Sequence, residues 1–147
     1  MSRSLFSTPE AAEQAFYEAF SNADLAAMMA VWAERDFVEC IHPMGDRVRG
    51  YDAVEENWRE IFEGGLRVRF KLSNVHRTRD VQIAVHVLYE YLSAAGDSDS
   101  WSPVITTNVF QLIDNSWRMT HHHASPCPDE NAPDESSGGA AEARQLH

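Results

Sequence analysis

The sequence predicts an α+β fold in which three N-terminal helices pack on a strongly curved, mainly antiparallel sheet, with a pocket between the two layers. Apolar residues recur at helical spacing through most of the first 63 residues, whereas from Leu66 they alternate with polar residues, as they do in strands. Helices that precede a series of strands are typical of a sheet wrapped around a helical layer, which leaves room for a cavity at its concave face.

Length, charge and hydropathy limit the possible classes of protein. The 147 residues suggest a single domain, and a formal net charge of −11 makes nucleic-acid binding unfavourable. No apolar stretch approaches the roughly 20 residues of a membrane span, and nothing near the first residue resembles a signal peptide. We therefore expect a cytoplasmic protein without nucleic-acid or membrane partners. Cys40 and Cys127 do not suggest a disulfide framework.

Two helices open the chain. Ser7 or Thr8 provides the N-cap of the first, Pro9 suits its first turn, and Glu10 suits the positive end of the helix dipole. Asp24 caps the second helix. The residues that recur at helical spacing along these two helices are Ala12, Ala15, Phe16, Ala19, Phe20, Leu25, Met28, Met29 and Trp32. The aromatic residues among them, Phe16, Phe20 and Trp32, are expected to pack in the core.

A short strand, a turn and a third helix follow. The strand covers 36–43 and ends at Pro43, the turn covers 44–47, and the helix runs from Tyr51 to Glu63 before Gly64 and Gly65 stop it. Its apolar residues include Trp58. Together with Trp32, Trp58 is expected to form the wall of the pocket.

The period of two then predicts four long strands. They begin near residues 66, 81, 101 and 117, with a loop over 94–100 and a tight turn over 114–116. The predicted domain is 1–126, and the acidic segment 127–147, rich in Pro, Ser and Gly, is expected to be disordered.

The final strand contains three consecutive histidines. Strict alternation would place His121 and His123 on the face of Met119, towards the pocket, and would turn His122 towards a dimer partner or solvent. Two imidazoles on one face suit a hydrogen-bonded pair in a half-polar cavity, and a metal site is the weaker alternative. We predict no bound metal, because no carboxylate lies obviously beside the pair and no helix carries two histidines four residues apart. We also predict no cofactor, since the glycines form no phosphate-binding pattern.

Three groups of residues resemble the SnoaL-like branch of the nuclear transport factor 2-like superfamily. They are Asn22-Ala23-Asp24-Leu25 with Trp32-Ala33, then Gly45 to Gly50 with Ala53 and Trp58, and finally Thr107-Asn108-Val109-Phe110 with Trp117, His121, His123 and Ser125. The last group also resembles the association domain of calcium/calmodulin-dependent kinases. The resemblance implies a cone-shaped fold. It implies no single function, because the superfamily includes isomerases, dehydratases, cyclases and assembly modules.

The resemblance also suggests site residues. His42 takes the position of the general base of the related ketosteroid isomerases, where an aspartate precedes the proline, and an imidazole can carry protons near neutral pH. The oxyanion-binding tyrosine of those enzymes falls on Phe16, which donates no hydrogen bond. Asn108 replaces an arginine of the kinase association domains; its amide suits a neutral polar ligand, or bonds across the hairpin to His121. Glu90 shares a mixed face with His86.

Taken together, these features predict a homodimer, formed through the outer face of the sheet, that binds a small and largely apolar molecule. The predicted ligand-binding residues are Trp32, Trp58, Asn108, His121 and His123. Whether the protein is an enzyme is left open. The alternatives are a cofactor-free isomerase or lyase with His42 as the general base, and a non-catalytic assembly module.

Overall fold

The computed structural model describes residues 5–94 and 101–127, which contain three helices and one sheet. Helix α1 spans Pro9–Asn22, α2 spans Leu25–Val31 and α3 spans Tyr51–Glu63. The predicted caps are confirmed, because the side chains of Thr8 and Asp24 each accept a hydrogen bond of 3.0 Å from a backbone N–H in the first turn. Gly50 precedes α3 with a φ of 95°, a conformation that glycine adopts without strain.

The strands form a six-stranded sheet with the order β2-β1-β6-β5-β4-β3. Their bounds are Glu39–Ile41 for β1, Val48–Arg49 for β2, Val68–Arg79 for β3, Ile83–Ala94 for β4, Ser102–Ile113 for β5 and Ser116–Pro126 for β6. Strand β1 pairs in parallel with β6, and the other pairs are antiparallel. The predicted α+β architecture is therefore confirmed, although the short strand β2 was not predicted.

Two long strands contain register shifts. In β3 the shift lies between Ser73 and His76, where Asn74 has a φ of 51°. In β6, Met119 pairs with Phe110 and His121 pairs with Val109, so Thr120 is an extra residue opposite β5. A bulge of this kind reverses which residues face the core on either side of it.

The core lies between the helices and the inner face of the sheet. Phe16, Trp32 and Trp58 are fully buried there, and the ring of Trp58 lies 4.7 Å from that of Phe20 and 5.7 Å from that of Phe16. The two tryptophans therefore fill space in the core. The predicted loop over 94–100, beyond Ala94, and the predicted tail, beyond Cys127, lie outside the described residues.

Candidate functional site

A cluster of buried polar side chains lies between α1 and the inner face of the sheet. Helix α1 contributes Glu13 and Tyr17, four residues apart on one face. The strands contribute four buried residues of the inner face of the sheet. These are His86 and Glu90 from β4, Asn108 from β5 and His122 from β6. None of the six residues is more than 7% exposed, so their polar groups must find partners within the protein.

Asn108 connects the two sides of this cluster. Its amide nitrogen donates to Glu13 Oε2 at 3.1 Å and to the hydroxyl of Tyr17 at 3.0 Å. Its amide oxygen Oδ1 lies 2.6 Å from Nδ1 of His122 on the neighbouring strand. Both ends of the amide are therefore used, which fixes its orientation.

Tyr17 and Glu90 form the second link. The tyrosine hydroxyl donates to Glu90 Oε2 at 2.5 Å. Burial raises the pKa of Glu90 to about 7, and the hydrogen bond from Tyr17 only partly opposes this effect. Burial and then the nearby Glu90 carboxylate raise the pKa of Tyr17 well above its usual value. Glu90 is thus a carboxyl group that can hold or release a proton near neutral pH.

Glu13 and His86 form the third link. Oε1 of Glu13 lies 2.9 Å from Nδ1 of His86, a distance typical of an ion pair, although the direction is unsuitable for a hydrogen bond. The other ring nitrogen of His86, Nε2, lies 3.9 Å from Glu10 and has no hydrogen-bond partner among the described residues. This imidazole is fully buried beneath the first turns of α1.

His42 and His122 adjoin the cluster on the side of α3. Their ring centroids are 5.9 Å apart, and the ring of His42 also packs edge-on against Trp58 at 4.7 Å. Burial lowers the pKa of His42 to about 4 and, with the nearby His42, lowers the pKa of His122 well below its usual value. Both imidazoles are therefore neutral at physiological pH.

A groove of about 490 Å³ opens over this cluster between α1 and β3. Its walls consist of one face of α1 and three residues of β3. The lining residues are Glu10, Glu13, Gln14, Tyr17, Glu18, Ser21, Asn22, Phe70, Leu72 and Arg77. Glu13 and Tyr17 thus belong both to the buried cluster and to the groove. The predicted pocket was expected to be mostly apolar, but most residues that line this groove are polar.

The structure separates the predicted site residues. Asn108 lies at the centre of the cluster and His42 lies beside it, whereas His121 is only partly buried and His123 is exposed on the opposite face of the sheet. The predicted outward orientation of His122 is wrong. The alternative in which Asn108 bonds across the hairpin to a histidine is found, but its partner is His122 and not His121. The bulge at Thr120 explains both differences, because it brings His122 to the inner face.

Glu13, Tyr17 and His86 were missed as site residues. The sequence nevertheless contains a pattern that indicates them. Glu13 and Tyr17 are polar residues one helical turn apart within the buried stripe of α1. His86 and Glu90 likewise share parity with the apolar Ala84 and Leu88 of β4. Polar residues that lie on buried faces of two neighbouring elements require each other as partners.

Two other features, a membrane-spanning helix and a metal-binding group of side chains, are not found in the described ranges, 5–94 and 101–127. No helix there has the length and hydropathy needed to cross a lipid bilayer. Nor do three or more His, Cys, Asp or Glu side chains converge there in a way that could hold a metal ion. Within those ranges, Cys40 is a buried thiol that forms no disulfide.

Three helices packed on an open and mostly antiparallel sheet define the cone-shaped fold of the nuclear transport factor 2-like superfamily. The chain belongs to the SnoaL-like domain family, whose model matches residues 10–130. The predicted superfamily and fold class are thereby confirmed.

Proteins that are similar to this chain have names that indicate different functions. A candidate calcium/calmodulin-dependent protein kinase type II association domain from Thiobacillus denitrificans has 41% identity and a TM-score of 0.79, over 84% of this chain and 98% of that one. A candidate dehydratase of the NTF2-like family from Streptomyces avermitilis has 25% identity and a TM-score of 0.72, over 80% of this chain and 93% of that one. The F-box protein SKIP8 of Arabidopsis thaliana is 30% identical over 110 residues, and the chain spans 46% of its length.

Proposed function

We propose that this protein binds a small organic molecule in the groove between α1 and β3. The observation that carries the proposal is the position of Glu13 and Tyr17, which line the groove and are also held by the buried hydrogen bonds of Asn108. The volume of about 490 Å³ lies within the range of roughly 300–1,000 Å³ that is usual for ligand sites. Phe70 and Leu72 offer an apolar wall opposite these polar groups.

In this proposal Asn108 keeps its predicted importance but acts through its neighbours. It orients the Glu13 carboxylate and the Tyr17 hydroxyl, which are the groups that a ligand would touch. Such preorganisation lowers the entropic cost of binding, because the polar groups do not have to be ordered by the ligand. Trp32 and Trp58 are buried in the core and do not line the groove.

A matched pair of tryptophan variants tests this proposal. Gln14→Trp places a large ring in the groove from an exposed position of α1, whereas Gln82→Trp changes an equally exposed glutamine in the connection between β3 and β4. Fragments that bind the intact chain are first found by ligand-observed NMR. We expect Gln14→Trp to abolish the binding of these fragments and Gln82→Trp to retain it. Equal binding to both variants, or no fragment that binds the chain, would overturn the proposal.

A second candidate function is that of a cofactor-free isomerase or lyase, and the Tyr17–Glu90 pair favours it. A carboxyl group with a pKa of about 7, joined by a hydrogen bond to Tyr17, whose side chain lines the groove, suits general acid–base catalysis at neutral pH. His42, the base expected from the sequence, has a pKa of about 4. Neither His42 nor Glu90 lines the groove itself, but Glu90 has a pKa near neutral and is bonded to Tyr17, which does. Glu90 is therefore the better candidate base.

Proton exchange can detect such chemistry without a known product. Carbonyl compounds that bind the groove would be incubated with the protein in D2O, and deuterium at the carbon next to the carbonyl would be measured by NMR. An enzyme that uses Glu90 loses this exchange in Glu90→Gln and keeps it in His42→Ala. The reverse pattern would assign the base to His42, and the absence of exchange would remove this candidate function.

The outer face of the sheet is the proposed surface for homodimer formation. Three rows of residues cross β4, β5 and β6 there, namely Val85–Val109–His121, Val87–Thr107–His123 and Tyr89–Ile105–Ser125. A mainly apolar face that an identical copy could cover is a suitable self-complementary interface. The similarity to a kinase association domain supports assembly as a role for this chain, with or without a ligand.

A further inference from the structure

Two cations lie side by side on β3, the edge strand of the sheet. Arg69 and Lys71, called the basic pair below, are two residues apart, so they share one face of the strand, and both are exposed. Their face is the outer one, because Lys71 pairs with Tyr91, whereas the ring of the intervening Phe70 packs against Tyr17 of α1. The edge of the sheet therefore presents two positive charges on its outer face.

The indole ring of Trp101 holds the basic pair in place. Cζ of Arg69 lies 5.5 Å from the centroid of this ring, and Nζ of Lys71 lies 4.3 Å from it. Both distances suit a cation–π contact. Within residues 5–94 and 101–127, the ion pairs do not include either cation. The basic pair is thus ordered by an aromatic ring, and no carboxylate of those ranges neutralises it.

The end of β6 lies level with the basic pair. Lys71 pairs with Tyr91, and Tyr91 pairs with Pro103 of β5. The carbonyl of Pro103 in turn accepts a hydrogen bond of 3.2 Å from the backbone N–H of Cys127, directly after β6. Three strand spacings, or about 14 Å, therefore separate Cys127 from Lys71 across the sheet.

The segment that follows Cys127 has the opposite charge. Residues 128–147 contain five carboxylates and a single basic residue, Arg144. Asp134 and Glu135 follow Cys127 by seven and eight residues. A chain of this length extends up to about 25 Å, so both carboxylates are within reach of Lys71. Exposed ion pairs are weak by themselves, but a tethered partner is present at a high effective concentration, which makes weak pairing sufficient.

From these observations we propose that segment 128–147 docks on the outer face of the sheet of its own chain, where Asp134 and Glu135 pair with Arg69 and Lys71. The basic pair adjoins the row Tyr89–Ile105–Ser125 of the proposed dimer face. The same segment of a second copy is therefore the competing occupant. This proposal does not depend on the groove between α1 and β3 or on its ligand.

A spin label in the segment tests the proposal on the full chain. Ser137→Cys provides the attachment site, Cys127→Ser removes the competing thiol, and Cys40 is buried. Paramagnetic relaxation enhancement is then measured by NMR at the backbone amides of the basic pair and at the indole N–H of Trp101. We expect strong enhancement at these positions, and we expect it to decrease as salt is added, because salt screens the attraction between exposed charges.

Two double variants with the same loss of charge locate the contact. Arg69→Gln/Lys71→Gln removes the basic pair, whereas Arg35→Gln/Arg47→Gln removes two exposed arginines that lie outside the strands. We expect the first to reduce the enhancement at Trp101 at least about threefold and the second to leave it unchanged.

Neutralisation of the segment gives the reciprocal test. Asp134→Asn/Glu135→Gln leaves the basic pair and Trp101 unaltered, and it should reduce the enhancement as much as the loss of the basic pair does. Enhancement that persists in both of these double variants would overturn the proposal, because the proximity would then result from the covalent connection alone.

A mixture of two preparations separates the two occupants. One preparation is labelled with nitrogen-15 and has no spin label, and the other has the spin label at natural isotope abundance. Docking within one chain predicts little enhancement in this mixture. Enhancement as strong in the mixture as within a single chain would assign the segment to a second copy and overturn the proposal.

Discussion

Asn108 and His122 face each other across the β5–β6 pair, with the amide oxygen of Asn108 2.6 Å from Nδ1 of the imidazole. Because an amide oxygen can only accept, His122 must donate from Nδ1. Burial keeps this imidazole neutral by lowering its pKa, so one tautomer is selected. The contact in turn directs the amide nitrogen of Asn108 towards Glu13 and Tyr17. A single cross-strand hydrogen bond therefore orients the groups that line the groove.

Replacement of Asn108 should show how much the cluster depends on this residue. Asn108→Leu leaves Nδ1 of His122 without an acceptor and removes a donor from both Glu13 and Tyr17. Each buried polar group left unpaired costs about 1–3 kcal/mol, so we expect the free energy of unfolding to fall by about 2–4 kcal/mol. Urea denaturation at pH 7 measures this change.

The control for this variant is Thr78→Val, which alters an exposed position of β3 and should change stability by less than about 0.5 kcal/mol. If Asn108→Leu were as stable as Thr78→Val, the cluster would contribute little to the fold. The proposed preorganisation of the groove would then be without support.

Glu90 should give the protein a distinctive dependence of stability on pH. Its pKa is about 7 in the folded state, above the ordinary glutamate value of 4.5, so the folded state retains the proton to higher pH than the unfolded state does. Stability therefore falls as pH rises from about 4.5 to about 7, by a total of about 3 kcal/mol for this group. Glu90→Gln removes this contribution and should flatten that part of the curve.

The measurement compares the free energy of unfolding of the two proteins at several pH values between 4.5 and 8. Histidine ionisation affects both proteins alike and has the opposite slope, since the lowered pKa of His42 makes the fold less stable below pH 6.5. The difference between the parent protein and Glu90→Gln thus isolates Glu90. A difference that does not change with pH would show that Glu90 is not buried as a protonatable group.

The three consecutive histidines should respond differently to substitution. His122→Ala leaves a cavity and an unpaired amide oxygen in the core, so we expect a loss of about 2–4 kcal/mol. His123→Ala alters an exposed side chain and should cost less than about 0.5 kcal/mol, with His121→Ala between the two. Thermal and urea unfolding at one fixed protein concentration provide the comparison. The reverse order of stability would mean that Thr120 does not form a bulge.

The histidines also mark the limit of what the sequence could predict. Helix caps such as Thr8 and Asp24 are local features, and the structure confirms them. The bulge at Thr120 has no local signal, yet this one extra residue exchanges the faces of His121 and His122. Strand assignment from periodicity was therefore correct for β6, while the orientation of its histidines was wrong.

Helix α1 shows a second limit. The resemblance to isomerases places their tyrosine at Phe16, and the adjacent Tyr17 points about 100° away around the helix. In the structure both rings are buried, because α1 packs against α2 on one side and against β3, β5 and β6 on another. A wide buried stripe accommodates neighbouring residues, and the contact with Glu90 could be found only from the fold.

The proposed dimer predicts the effect of a charge on the outer face of the sheet. Val87 lies in the middle row of that face and is 37% exposed. A two-fold interface contains the substituted residue of both copies, so Val87→Lys would bury two unpaired charges. We therefore expect this variant to be a monomer in sedimentation velocity experiments. Val81→Lys, at a 77% exposed position outside the strands, is the matched control and should remain dimeric.

Acid should also weaken the dimer. His121 lies on the same face, burial already lowers its pKa, and further burial in a dimer would make protonation still less favourable. A parent protein that is monomeric at neutral pH, or a Val87→Lys variant that stays dimeric, would exclude this face as the interface.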